Sequence, residues 1–187
     1  MKIKGGTNMI GYVILAVVVA LLVFVIMMRN NIVIKRNKVE NADASIDVML
    51  KKRFDLIPNL YDLVKQYMEH EKSLLENIVL LRNQLDAGNV TVEANQKMDE
   101  VMKQLKVSVE NYPDLKANQN FLQLQATLNE VEEQIAAARR TYNANVTEFN
   151  TYIQIFPVNI VAAIFGTKKF DLFETSEFER SSQAWFK

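Results

Sequence analysis

The sequence predicts an all-α protein: an N-terminal transmembrane helix followed by an antiparallel four-helix bundle. Three observations carry that expectation. The run Met9 to Met28 contains no charged residue. Beyond it, apolar residues recur at steps of three and four over most of the chain. Only 5 Gly and 3 Pro occur in 187 residues, which suits long helices and disfavours a many-turned β fold.

The uncharged run is long enough to be an anchor. At the helical rise it covers roughly 30 Å, the thickness of a bilayer's hydrocarbon core. A buried core helix would need apolar cover on every face, and no other segment is apolar enough to supply it. A cleaved signal peptide usually has a shorter apolar region ending at a small-x-small site. Here the run ends at Arg29-Asn30-Asn31, so it reads as uncleaved. Arg29, Lys35, Arg36 and Lys38 follow it, against Lys2 and Lys4 before it. Basic flanks stay in the cytoplasm, which places the N-terminus outside and the large domain inside. If Met9 is the true start, that bias sharpens.

The bundle is expected over 29–156. Helix A covers about 29–54, with Val39, Ala42, Ile46 and Met49 on one stripe. Helix B starts around Pro58, where a missing N–H does no harm. Its stripe is Leu60, Val64, Tyr67, Leu74, Ile78, Leu81 and Leu85, interrupted by Glu71. Gly88 is expected to cap it in the left-handed conformation. Helix C begins near Thr91 as N-cap and carries Met98, Met102, Leu105, Val109 and Tyr112, ending at Pro113. Helix D, about 115–155, shows Phe121, Leu124, Leu128, Val131, Ile135, Ala138, Tyr142, Phe149 and Ile153, with Asn145 at a seam position. Such seams are expected of helices packed side by side at a shallow angle, and short loops imply antiparallel neighbours. Residues 1–8 then form a tail, 9–28 the span, and 157–187 a short C-terminal helix and tail.

Composition excludes several functions. The 22 basic and 22 acidic residues cancel, whereas a nucleic-acid binder normally carries a basic surplus. The absence of cysteine removes disulfides, thiolate catalysis and cysteine metal sites together. His70 is the only histidine, so neither a His-Glu-x-x-His zinc site nor the paired Glu-x-x-His of a di-iron bundle is available. No nucleophile elbow or glycine-rich phosphate loop is present. His70 reads as a surface residue between Glu69 and Glu71 more readily than as a general base. No catalytic residue, metal or cofactor is expected.

The run from Asp47 through Lys51, Arg53 and Pro58 to Leu60 resembles the bacterial LemA family. So do His70-Glu71, Tyr112-Pro113-Asp114-Leu115-Lys116-Ala117-Asn118, Ala138-Arg139-Arg140-Thr141-Tyr142-Asn143, Asn150 and Phe156-Pro157. The segment Met9-Ile10-Gly11-Tyr12 looks like a family N-terminus. The resemblance implies an anchored four-helix bundle of bromodomain-like topology. It implies no reaction, and it hints at membrane-protease and envelope-stress systems.

The expected function is that of a membrane-anchored, non-enzymatic interaction or scaffold protein. The alternative is an accessory factor of a membrane protease or envelope-stress system with a carboxylate site. An unidentified protein partner and membrane lipid are the expected contacts. Candidate interaction residues are Arg139, Arg140, Asn143 and Asn145, of which only one of the adjacent arginines can face inward. For Asn145 the plainer reading is a seam residue that fixes helix register. Asp47, Lys51, Lys52, Arg53 and Asp55 read as a solvated, charged helix end. Candidate lipid contacts are Arg29, Lys35, Arg36, Lys38, Lys168 and Lys169. Between Phe156 and Phe165 lies a short uncharged segment, read first as a cap on the bundle and second as an interfacial helix.

Overall fold

The computed structural model describes residues 5–86 and 92–173, and these are helical with no strand among them. The helices are α1 (Gly5–Phe54), α2 (Ile57–Tyr67), α3 (Lys72–Asp86), α4 (Val92–Ser108), α5 (Pro113–Lys116), α6 (Gln119–Tyr152) and α7 (Val158–Ile164), with a 3-10 turn at Val109–Asn111. They form two compact units. One comprises residues 43–139; the other comprises residues up to Ala42 together with those from Arg140. The side chain of Leu85, the expected Gly88 and Thr91 caps, and the tail after Phe173 lie outside the described residues.

The expected span and helix A are a single helix, α1. No glycine or proline falls between Tyr12 and Phe54 to interrupt it. It ends at Phe54, whose carbonyl Pro58, four residues on, can neither bond nor pack against, and Lys51, Lys52 and Arg53 in its last turn complement the negative end of the helix dipole. Among the described residues it is the one helix long and apolar enough to cross a membrane.

In the unit spanning 43–139, α3 packs on both α2 and α4, and α5 packs on α2. Leu60, Val64, Leu74, Ile78 and Leu81 share a core with Met98, Leu105, Phe121, Leu124 and Leu128. The expected helix B is not continuous. The chain leaves the helix at Met68, whose φ is -130°, and resumes it at Lys72. The break answers a local conflict. A continuous helix would carry Glu71 on its apolar stripe; instead buried Met68 joins the core, and Glu71 accepts a hydrogen bond from the Tyr112 hydroxyl at 3.3 Å. Partial burial, and next the Glu71 carboxylate, raise the pKa of the Tyr112 phenol. The neighbouring Tyr67 oxygen accepts from Asn118 at 2.8 Å.

Arg53 departs from the expected solvated face. It is buried, and its guanidinium donates to Asn95 Oδ1 at 3.0 Å and Asp99 Oδ1 at 2.6 Å, with Glu132 Oε2 at 3.3 Å. It thereby ties α1 to α4 and α6. Its place follows from the stripe itself: Val39, Ala42, Ile46, Met49 and Arg53 step by three and four.

Candidate membrane-proximal site

The second unit is built on the first part of α1, the last part of α6, α7 and the segment that follows. From Met9 to Met27 the apolar side chains of α1 are exposed on every face, apart from half-buried Val25. At Met28 the pattern changes to a single buried stripe of Met28, Ile32 and Val39. These residues pack with Val146, Phe149 and Ile153 of α6 and with Val158, Val161 and Ala162 of α7. Val25 packs against the same cluster, so the core begins within the last turn of the uncharged run.

Lys35 occupies the stripe position between Ile32 and Val39 and is turned toward α6. Its ammonium pairs with Glu148 and lies 5.0 Å from the centre of the Tyr152 ring. The hydrogen bond and charge of Lys35, with the charge of Lys38, hold the Glu148 carboxyl below its ordinary value. Arg36 pairs with Glu40 one turn along, at 2.8 Å on the exposed face. Arg29, the first residue after the uncharged run, places its guanidinium 5.0 Å from the centre of the Phe165 ring.

Beyond α7 the chain turns at Gly166, whose φ is 61°. The Thr167 N–H donates to Ala162 O at 2.9 Å, and the Gly166 N–H to Ala163 O at 3.1 Å. This is the paired Schellman arrangement, and it requires the left-handed conformation that glycine adopts without a Cβ clash. The following segment is held on α6 by two asparagines. Asn150 accepts from the Phe170 N–H at 3.0 Å and donates to the Phe170 carbonyl at 2.8 Å. Asn143 treats Phe173 in the same way, at 2.8 and 3.0 Å. The Tyr142 hydroxyl donates to the Asp171 carbonyl at 3.2 Å. Two helical turns separate the asparagines by roughly 10.5 Å, close to the roughly 10 Å covered by three residues of extended chain. Each phenylalanine also meets an aromatic edge of α6, Phe170 on Phe149 at 5.2 Å and Phe173 on Tyr142 at 6.4 Å.

The residues singled out from the sequence therefore fall in several environments. Asn143 and Tyr142 grip the chain's own backbone. Asn145 is half-buried and donates to the Lys38 carbonyl at 3.2 Å, while its neighbour Val146, absent from the expected seam, is fully buried. Arg139 is half-buried and Arg140 exposed. Lys168 and Lys169 are exposed, and Lys169 donates to Gln154 at 3.1 Å. His70 sits on the exposed turn between α2 and α3, 3.7 Å from Glu69. Among the described residues, no cluster of three or more His, Cys, Asp or Glu side chains is placed to hold a metal ion. The unit spanning 43–139 also holds an open cleft of about 490 Å³ for which the sequence carries no local signal, walled by Asn59, Asp62, Gln66, Asn120, Gln123 and Thr127.

The family model of the LemA family matches residues 42–185. "Protein LemA" of Metamycoplasma hominis is 30% identical over 81% of this chain and 71% of its own length. "Magnetosome protein MamQ 2" of Paramagnetospirillum magneticum is 23% identical over 84% of this chain and 68% of its own. The long apolar helix is consistent with a membrane-anchored protein, and the chain belongs to the LemA family.

Proposed function

We propose that this protein is a single-pass, membrane-anchored interaction module without a reaction of its own, its helical body on the cytoplasmic side. The observation that carries this reading is the change in burial along α1. A helix exposed on every apolar face needs lipid around it, and a helix with one buried stripe belongs to a protein core. Both patterns occur in one unbroken helix and meet at Met28. The orientation rests on Arg29, Lys35, Arg36 and Lys38 following the span.

Several polar side chains that could do chemistry are used in holding the fold. Arg53 joins helices, Asn143 and Asn150 hold the chain's own backbone, and His70 is exposed beside exposed Glu69. The amide-walled cleft and the exposed apolar side chains Leu80 and Val107 offer a partner surface. A photo-crosslinking residue at Gln123 or Val107, activated in native membranes and followed by mass spectrometry, tests the reading. A recurrent protein partner, absent without the crosslinker, supports it; a membrane protease among the captured proteins would favour the accessory role. No enrichment from either position contradicts the interaction role.

A further inference from the structure

We infer that α7 is an interfacial helix: one face closes the core of its unit while the opposite face rests in the lipid at the end of the span. The inference rests on the membrane-anchor reading and goes beyond it by naming the lipid surface as the occupant of a second, separate patch. Val158, Val161 and Ala162 form the buried face of α7. Ile160 and Ile164 stand one turn apart on the other face and are 51% and 72% exposed. A helix that only capped a core would turn polar or charged residues outward. Here no residue from Phe149 to Thr167 is charged, and exposed Phe156 and Phe165 flank the helix.

Lipid is the occupant because of where this patch sits in its own unit. The core that α7 closes includes Met28 and touches Val25, both within the uncharged run. Phe165, at the end of α7, lies under the guanidinium of Arg29, the residue at which that run stops. The outer face of α7 is therefore continuous with the lipid-facing surface of α1, at the level where hydrocarbon gives way to headgroups. Apolar side chains from a short amphipathic helix settle at that depth, and aromatic rings are favoured there. Lys168 and Lys169 follow immediately, where long cationic side chains reach the phosphate layer.

The chain has no cysteine, so single-cysteine labelling is clean. The full chain is reconstituted in phosphatidylcholine–phosphatidylglycerol vesicles with a nitroxide at Ile160→Cys, Ile164→Cys, Val18→Cys or Val107→Cys. Val18 lies within the span and Val107 on the exposed face of α4. Relaxation by oxygen, which concentrates in lipid, is compared with relaxation by a water-soluble nickel chelate. Ile160→Cys and Ile164→Cys should favour oxygen at shallow depth, between the deep lipid value of Val18→Cys and the aqueous value of Val107→Cys. Aqueous values at 160 and 164, with a lipid value at 18, would overturn the interfacial helix and leave the anchor standing. An aqueous value at 18 as well would overturn the anchor itself. Low accessibility to both reagents at 160 and 164 would mean that protein, such as a second copy, covers this face, and would equally overturn the inference.

Discussion

Replacing Asn150 by leucine removes both hydrogen bonds that hold Phe170 on α6 while keeping a side chain of similar size. The Phe170 N–H and carbonyl are partly buried there, so water replaces the lost partners poorly. Each such bond contributes about 0.5–1.5 kcal/mol net, which puts the pair at about 1–3 kcal/mol. That energy is local. The segment after Gly166 is held chiefly by these bonds, by Asn143 and by two aromatic contacts. Its opening should be a sub-global event, well below the cost of unfolding the unit. With tenfold for about each 1.4 kcal/mol, the Phe170 amide should exchange roughly 5–150-fold faster with solvent deuterium. Amide exchange on the full chain in nanodiscs reads this directly. Peptides covering residues 167–173 should accelerate, while peptides from α3 keep their rate. Asn143→Leu should have a smaller effect, because its bonds are exposed and water substitutes for them. Unchanged exchange at Phe170, or equal acceleration throughout the chain, would refute the view that the two asparagines form a local clamp.

Three further outcomes follow from the same geometry. Ile78→Ala and Ile135→Ala each delete a fully buried side chain and should cost about 2–5 kcal/mol in a denaturation curve, whereas exposed Lys103→Ala should cost under about 0.5 kcal/mol. Arg53→Met should cost about 1 kcal/mol or less, because Asp99 and Glu132 are about half exposed and rehydrate; the double change Asp99→Ala with Glu132→Ala leaves a guanidinium that is 6% exposed without a counter-charge, Asn95 its remaining partner, and should cost about 3–5 kcal/mol, and the reverse order of melting shifts would contradict the assignment. The Glu148 carboxyl should titrate below the ordinary 4.5 in a carbon-detected NMR titration and return toward it in Lys35→Met. Because its folded pKa is depressed, the stabilisation is complete above the ordinary carboxylate range and is lost as pH falls through the depressed value, so neutral-pH stability should not vary with this group.

Much of the fold was legible because its signals are local and periodic. The uncharged run announces a helix long and apolar enough to cross a membrane, and the seams from Leu60 to Leu81 and from Phe121 to Ile153 announce the helices. The departures come from residues whose partners are distant in the chain. Arg53 and Lys35 both fall on apolar stripes by spacing, but their charge points to a solvated helix end for Arg53 and to lipid headgroups for Lys35. Only the folded arrangement supplies Asp99, Glu132 and Glu148. The break after Tyr67 has no Gly or Pro to mark it, and its one sign was Glu71 in an apolar seam. Val146 escapes the expected seam because Asn145 fills that phase, though a stripe through Tyr142, Val146, Phe149 and Ile153 keeps the spacing equally well. The asparagine clamp depends on bonds across 20 and 30 residues, for which no local pattern exists.

We propose one span anchoring a helical body on the cytoplasmic side. Labelling of single cysteines with a membrane-impermeant maleimide tests it most directly, in intact cells or spheroplasts and again after permeabilisation. Val107→Cys should be protected in intact cells and labelled once the membrane is opened, while Val18→Cys should resist labelling in both. Labelling of Val107→Cys from outside intact cells would contradict the orientation, and labelling of Val18→Cys would contradict the anchor.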